Sequence, residues 1–175
     1  MTIDLRYPIG QFKRPESYTD ASRAAAIAII ADTPKQLRAA VKGLSDKQLD
    51  TPYRDGGWTV RQLAHHVPDS HMNAYVRTRL ALTEENPTIK PYDEKKWSEL
   101  ADARTCPIEP SLAMLEAIHE RWVALLKSLE PAEFSREFVH PEHGPRSLDW
   151  MVALYAWHGP HHVAHVTELR KRERW

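Results

Sequence analysis

The chain has 175 residues, 42% of them hydrophobic and 27% charged, a size and composition that fit one folded domain over residues 1–175 and exclude a disordered or fibrous protein. Its 24 Lys and Arg balance 24 Asp and Glu, so there is no overall positive field to attract a nucleic acid. No apolar run reaches the roughly 18 residues of a membrane span, and the opening MTIDLRYPIGQFKRP lacks the apolar centre of a signal peptide, so a cytoplasmic protein without a membrane partner is expected.

In chain order, helical spacing first appears from about Asp20 to Lys42, with Ala24, Ile27, Ile30, Leu37 and Val41 on one stripe. Thr19 or Asp20 is placed to cap it and Gly43 to end it, while Pro34 predicts a kink or a fresh helix start. A second helix starts at GGWTVRQLAHHV, where Thr59 and Gln62 have the spacing of a capping box, and runs on through Val67, Ala74 and Leu80. PYDEKKWSELAD reads as a shorter helical segment inside a long connection that could carry a lid. A third long helix spans about Ser111 to Leu129, with Leu115, Ile118, Trp122 and Leu125 on one stripe, and a fourth runs from near Ser147 to Lys171. Between them PAEFSREFVHPEHGPRS breaks the pattern, and REFVH is its only strand candidate. The fold predicted is all-α, a four-helix bundle whose long second-to-third crossover permits an order other than simple up-down. The tryptophans Trp58, Trp122, Trp150 and Trp157 are expected to fill its core.

The last helix contains WHGPHHVAHVTEL, with His158, His161, His162 and His165 inside nine positions. Positions four apart share one face of a helix, so His161 and His165 can offer two imidazoles to one ion, and His158 with His162 can do the same. His158 also stands two turns before His165, and a kink at Pro160 would loosen its register with the residues beyond. A catalytic ion takes three protein ligands and keeps an open position, the third coming in a bundle from a facing helix. The second helix offers His65, His66 and His71. With Cys106 as the only cysteine, a four-thiolate zinc site is excluded, and any ligand set must be nitrogen or oxygen.

Three stretches together, GGWTVRQLAHHVPDSHMNAYVRTRLALTEENP, LYAWHGPHHVAHVTEL and LRYPIGQF, resemble the YfiT family of metal-dependent hydrolases in the DinB-like superfamily, over essentially the whole chain. In that family the first metal ligand is the histidine eight positions after the tryptophan of the W-T-V helix start, which here is His66 after Trp58. The other two are the i, i+4 pair of the last helix, matching His161 and His165. The resemblance further implies a bundle of up-down-down-up order, one zinc or nickel ion per chain, a small-molecule substrate and a homodimer. Gly159 and Pro160 depart from it locally by interrupting the turn ahead of His161. Some DinB-like relatives are thiol transferases acting with bacillithiol or mycothiol, so a metal-dependent S-transferase using a low-molecular-weight thiol is the alternative to a hydrolase. A third reading is a non-catalytic metal-binding module, which requires a fourth protein ligand such as His65, His158 or His162.

An ion held by three neutral imidazoles keeps its full double charge, so it would acidify a bound water for hydrolysis or deprotonate a bound thiol for transfer. The zinc-protease pattern His-Glu-x-x-His is absent, because His162 follows His161. Glu168 reads as a solvated residue or a partner of Arg172, EAIH at Glu116–His119 as a surface pair, HPEH at 140–143 as a solvated loop, and Cys106 as a thiol with no evident activation. No nucleophile elbow, phosphate-cradling loop or dinucleotide fingerprint occurs.

Overall fold

The computed structural model describes residues 4–175, so the first three residues of the opening stretch lie outside it. Helix α1 spans Asp20–Val41 and begins where Thr19 and Ser22 cap each other, the Ser22 N–H donating to Thr19 Oγ1 and the Thr19 N–H to Ser22 Oγ. Gly43 follows its end in the left-handed region, φ +76°. The helix continues through Pro34, so the second helix start that was the alternative to a kink there does not form. A short α2, Asp46–Leu49, is tied to α3, Val60–Thr83, by Arg61, which donates to Asp46 and Asp50 at 2.8 and 2.6 Å. Thr59 and Gln62 form the predicted capping box of α3.

The crossover carries two short helices, α4 Glu94–Ser98 and α5 Ala101–Thr105, where one segment was expected. Helix α6 follows at Glu109–Lys127. REFVH becomes strand β1, Glu137–His140, paired antiparallel with β2, Gly144–Ser147, so HPEH is the turn of a hairpin and not a free loop. Helix α7, Leu148–Glu173, starts where expected, with Ser147 as its cap, and continues through Gly159–Pro160.

Hydrogen bonds near the helix ends fix the order of the bundle. Arg23, early in α1, grips Asp149, early in α7, at 2.7 and 2.9 Å, and Arg170, late in α7, donates to the Ala40 carbonyl, late in α1, at 2.8 Å. Helices α1 and α7 are therefore parallel. Arg38, late in α1, pairs with Glu109 and Glu116, early in α6, so these two are antiparallel. His65 meets Ser111 at 2.7 Å and Trp122 Nε1–H donates to Thr78 at 2.9 Å, which makes α3 and α6 parallel, while Tyr155 meets Ser70 across antiparallel α7 and α3. The order is up-down-down-up, and the crossover exists because parallel neighbours cannot be joined by a short loop.

The core falls into two apolar clusters. One contains Ile27, Ile30, Trp122, Phe138, Leu148 and Met151, the other Leu37, Val41, Leu63, Leu115, Val166 and Leu169. Between them α1 and α7 touch at Gly159, where an added Cβ would stand 2.5 Å from Thr33 Oγ1. Only a glycine allows this approach, and it seats the second half of α7 with His158, His161, His162 and His165 in uninterrupted helical register.

Candidate metal centre

One cavity of about 630 Å³ is lined by His66 from α3 and by His158, His161, His162 and His165 from α7. Its rim brings in Arg6 and Tyr7 from the stretch before α1, Tyr53 and Trp58 from the loop before α3, and Glu94 from α4. Aromatic rings hold the imidazoles in place. His165 stacks on Tyr53 with centroids 4.1 Å apart, His161 stacks on Trp157 at 4.3 Å, and His66 leans on Trp58 at 4.5 Å. Trp58 and Trp157 are thus cavity walls, and of the four tryptophans assigned to the core only Trp122 is fully buried in it.

The structure gathers the three predicted ligands in this cavity but distributes them between two groups. The ligand atoms of His161, His162 and His165 lie within 4.8 Å of one another, and so do those of His66, His158 and His162. His162 belongs to both groups, and its ring is 4.9 Å from that of His66 and 5.0 Å from that of His161.

All five imidazoles are at least nine-tenths buried except His158, which is partly so by surface. Burial, reinforced by the neighbouring imidazole His161, pushes His66 down to about 4. Burial pushes His161 and His165 down to about 4 as well, the first also through His165, while His158 and His162 lie well below the ordinary histidine value. Each is neutral at pH 7 and carries one bare ring nitrogen, the form a metal requires. The Nδ1 atoms of His161, His162 and His165 are buried with no hydrogen-bond partner. His165 Nε2–H donates to the Arg6 carbonyl at 3.3 Å, which leaves the lone pair on Nδ1. A backbone carbonyl on the far nitrogen is the usual support of a metal-binding imidazole. A divalent ion would satisfy the orphaned nitrogens of His161 and His165, and the all-nitrogen donor set suits zinc or nickel.

The remaining candidates have other partners. His65 is closed off at both nitrogens, by Ser111 Oγ at 2.7 Å and the Cys106 carbonyl at 3.3 Å, and pins the crossover to α3 and α6. Glu168 pairs with Lys171 at 2.5 Å, while Arg172 donates to the Tyr53 carbonyl. Cys106 is exposed. The expected surface pair of α6 divides: Glu116 stays outside on Arg38, but His119 is only 2% exposed. His119 stands four positions after Leu115 and three before Trp122, on the buried stripe, and that spacing could have placed it inside. The same holds for His71, between Val67 and Ala74 on α3.

The sequence pattern of the DinB superfamily matches residues 29–166. A Bacillus mycoides (strain KBAB4) protein named "putative metal-dependent hydrolase" is 56% identical over 172 residues, covering 98% of this chain and 99% of the relative. A solved structure, titled "YfiT from Bacillus subtilis is a probable metal-dependent hydrolase with an unusual four-helix bundle topology", superposes with a TM-score of 0.96 at 49% identity, over 99% of both chains. The chain belongs to the YfiT family of the DinB superfamily. A four-helix bundle protein, TT2238, shares 19% identity with a TM-score of 0.55 over 81% of this chain and 94% of its own, and shows for this YfiT-family chain the fold alone.

Proposed function

We propose that this YfiT-family protein is a metal-dependent hydrolase of a small-molecule substrate, with one zinc or nickel ion per chain held by His66, His161 and His165. The observation that carries the reading is five imidazoles gathered in one open cavity, four of them buried, with the Nδ1 atoms of His161 and His165 buried and unpartnered. The family resemblance selects His66 as the ligand from the facing helix, and its ring, neutral and wedged beside Trp58, lines the same cavity. When bound, such an ion would supply Lewis acidity that lowers the pKa of water to about 7. The chain's own part is to hold the ligands ready: the Arg6 carbonyl sets the tautomer of His165, Trp157 and Tyr53 clamp the rings, and Tyr7 and α4 line the cavity's rim. A homodimer belongs to the reading through the family resemblance and a cytoplasmic location through the sequence, and among the described residues no helix is long and apolar enough to cross a membrane.

The test uses chelator-stripped protein reloaded with zinc or nickel. Equilibrium dialysis is expected to give one ion per chain, and a panel of activated esters and amides to be hydrolysed only by the loaded form and not by His165→Ala. No stoichiometric uptake would overturn the metal. Uptake with consumption of a thiol and an electrophile, and no ester or amide turnover, would replace hydrolysis with S-transfer. Light scattering at a monomer's mass would remove the dimer without touching the ion.

A further inference from the structure

Behind the cavity a line of imidazoles crosses the bundle. It starts at α1, where Pro34 has no N–H, so the Ile30 carbonyl four residues earlier lacks its helical donor. His119 Nδ1 takes that place at 2.7 Å. His119 Nε2 then meets His71 Nδ1 at 2.7 Å, His71 Nε2 meets His158 Nδ1 at 3.1 Å, and His158 Nε2 meets His162 Nε2 at 3.2 Å. His119 and His71 are almost completely buried, and the planes of their rings differ by only 20°.

A carbonyl oxygen can only accept, so the proton of His119 is on Nδ1. Burial holds His119 and His71 neutral, and a single proton occupies each of the four contacts along the line, so each ring offers one donor and one acceptor to it. The bare Nε2 of His119 must therefore accept from His71 Nδ1–H, the bare Nε2 of His71 from His158 Nδ1–H, and the bare Nε2 of His158 from His162 Nε2–H. Reversing any link sets two lone pairs or two protons against each other and strands a buried polar group, at about 1–3 kcal/mol each. His162 is left with its lone pair on Nδ1, an atom that is buried and has no partner.

We propose that Ile30, His119, His71 and His158 form a tautomer lock, set by Pro34, that holds His162 with a bare Nδ1 as the hydrogen-bond acceptor for an O–H or S–H group reacting in the histidine cavity. The role of that acceptor rests on the cavity being the reactive site; the lock itself rests only on the hydrogen-bond chain. His119, His71 and His158 are positioning residues, remote from the reactant, and they act through His162.

Long-range ¹H–¹⁵N correlation spectra of the full, uniformly ¹⁵N-labelled chain at neutral pH separate protonated from bare ring nitrogens. The expected pattern is one tautomer at each ring, Nδ1–H at His119, His71 and His158 and Nε2–H at His162. In His119→Leu the anchor is gone, and His158 and His162 are expected to show both tautomers. His119→Gln keeps an N–H for Ile30 and an oxygen for His71, and restores the single pattern. A proton on Nδ1 of His162 in the unmodified chain would overturn the lock, as would unchanged His158 and His162 signals in a folded His119→Leu. If His119→Leu does not fold, the unmodified chain and His119→Gln decide. Zinc dialysis on the same samples is read separately: no uptake with the expected tautomers removes the ion and leaves the lock, and uptake with Nδ1–H at His162 removes the lock and leaves the ion.

Discussion

His66→Ala, His161→Ala and His165→Ala each leave an ion with two of its proposed imidazoles, too few to hold it against water. Each is expected to lower zinc affinity in a competitive chelator titration by more than the roughly 10–100-fold that follows from losing an outer hydrogen-bond partner. His158→Ala falls within that smaller range, because both its nitrogens already serve the imidazole line, Nδ1 to His71 and Nε2 to His162. Should His162→Ala strip zinc while His66→Ala retains it, the ligands are the group His161, His162 and His165, whose atoms already lie together. At this scale the sequence located the cavity and left its inner arrangement undetermined. Helical spacing put His161 and His165 on one face, but His158 and His162 satisfy the same rule. What separates them is which nitrogen faces which partner, and that depends on His119 and the Ile30 carbonyl, 89 residues apart in the chain.

The long helices show why local pattern was legible and proline was misleading. Caps act within three residues of the chain, so Thr19 and Thr59 mark their helices as predicted, and Ser147 caps the last helix at its predicted start. Pro34 and Pro160 were read as interruptions because propensity weighs an isolated helix, whereas here packing on neighbours outweighs one lost hydrogen bond. The crossover was half legible: its helical content could be read from PYDEKKWSELAD, but the break at Glu99–Leu100 depends on how it folds back over α3. Gly159, taken for part of a broken turn, is where α7 touches α1. Gly159→Ala drives a methyl into Thr33 and is expected to destabilise by about 1–3 kcal/mol, a fall of several degrees in the thermal midpoint. Thr33→Ala removes both the Oγ1 and Cγ2 atoms that the methyl would meet, so the double variant is expected to recover most of the loss in the same calorimetric scan.

Taken whole, the molecule places a layer of neutral histidines between two apolar clusters, and this makes acid its weak condition. An unfolded histidine titrates near 6.5, whereas burial holds His66, His119, His161 and His165 down at about 4. Below pH ~6.5 the unfolded chain therefore binds more protons than the folded one, and stability falls as pH drops toward 4. Asp69, raised to about 6 by burial, and Glu94, also raised by burial, work in the opposite direction but are two groups against at least four. Urea midpoints of the metal-free protein are expected to be level above about pH 7 and to decline steadily from 6.5 to 4; a flat profile would show that these rings titrate normally. The same rings connect the cavity to the stretch ahead of α1, which crosses α7 with the Arg6 carbonyl on His165 and the Gly10 carbonyl on Trp157 Nε1–H at 3.0 Å. Coupling of this kind is reciprocal, since whatever fixes His165 also tightens its hold on Arg6. Zinc should therefore protect the exposed Arg6 and Lys13 from trypsin, and chains clipped at either should release the ion faster, so that a protease gel reads an event inside the bundle.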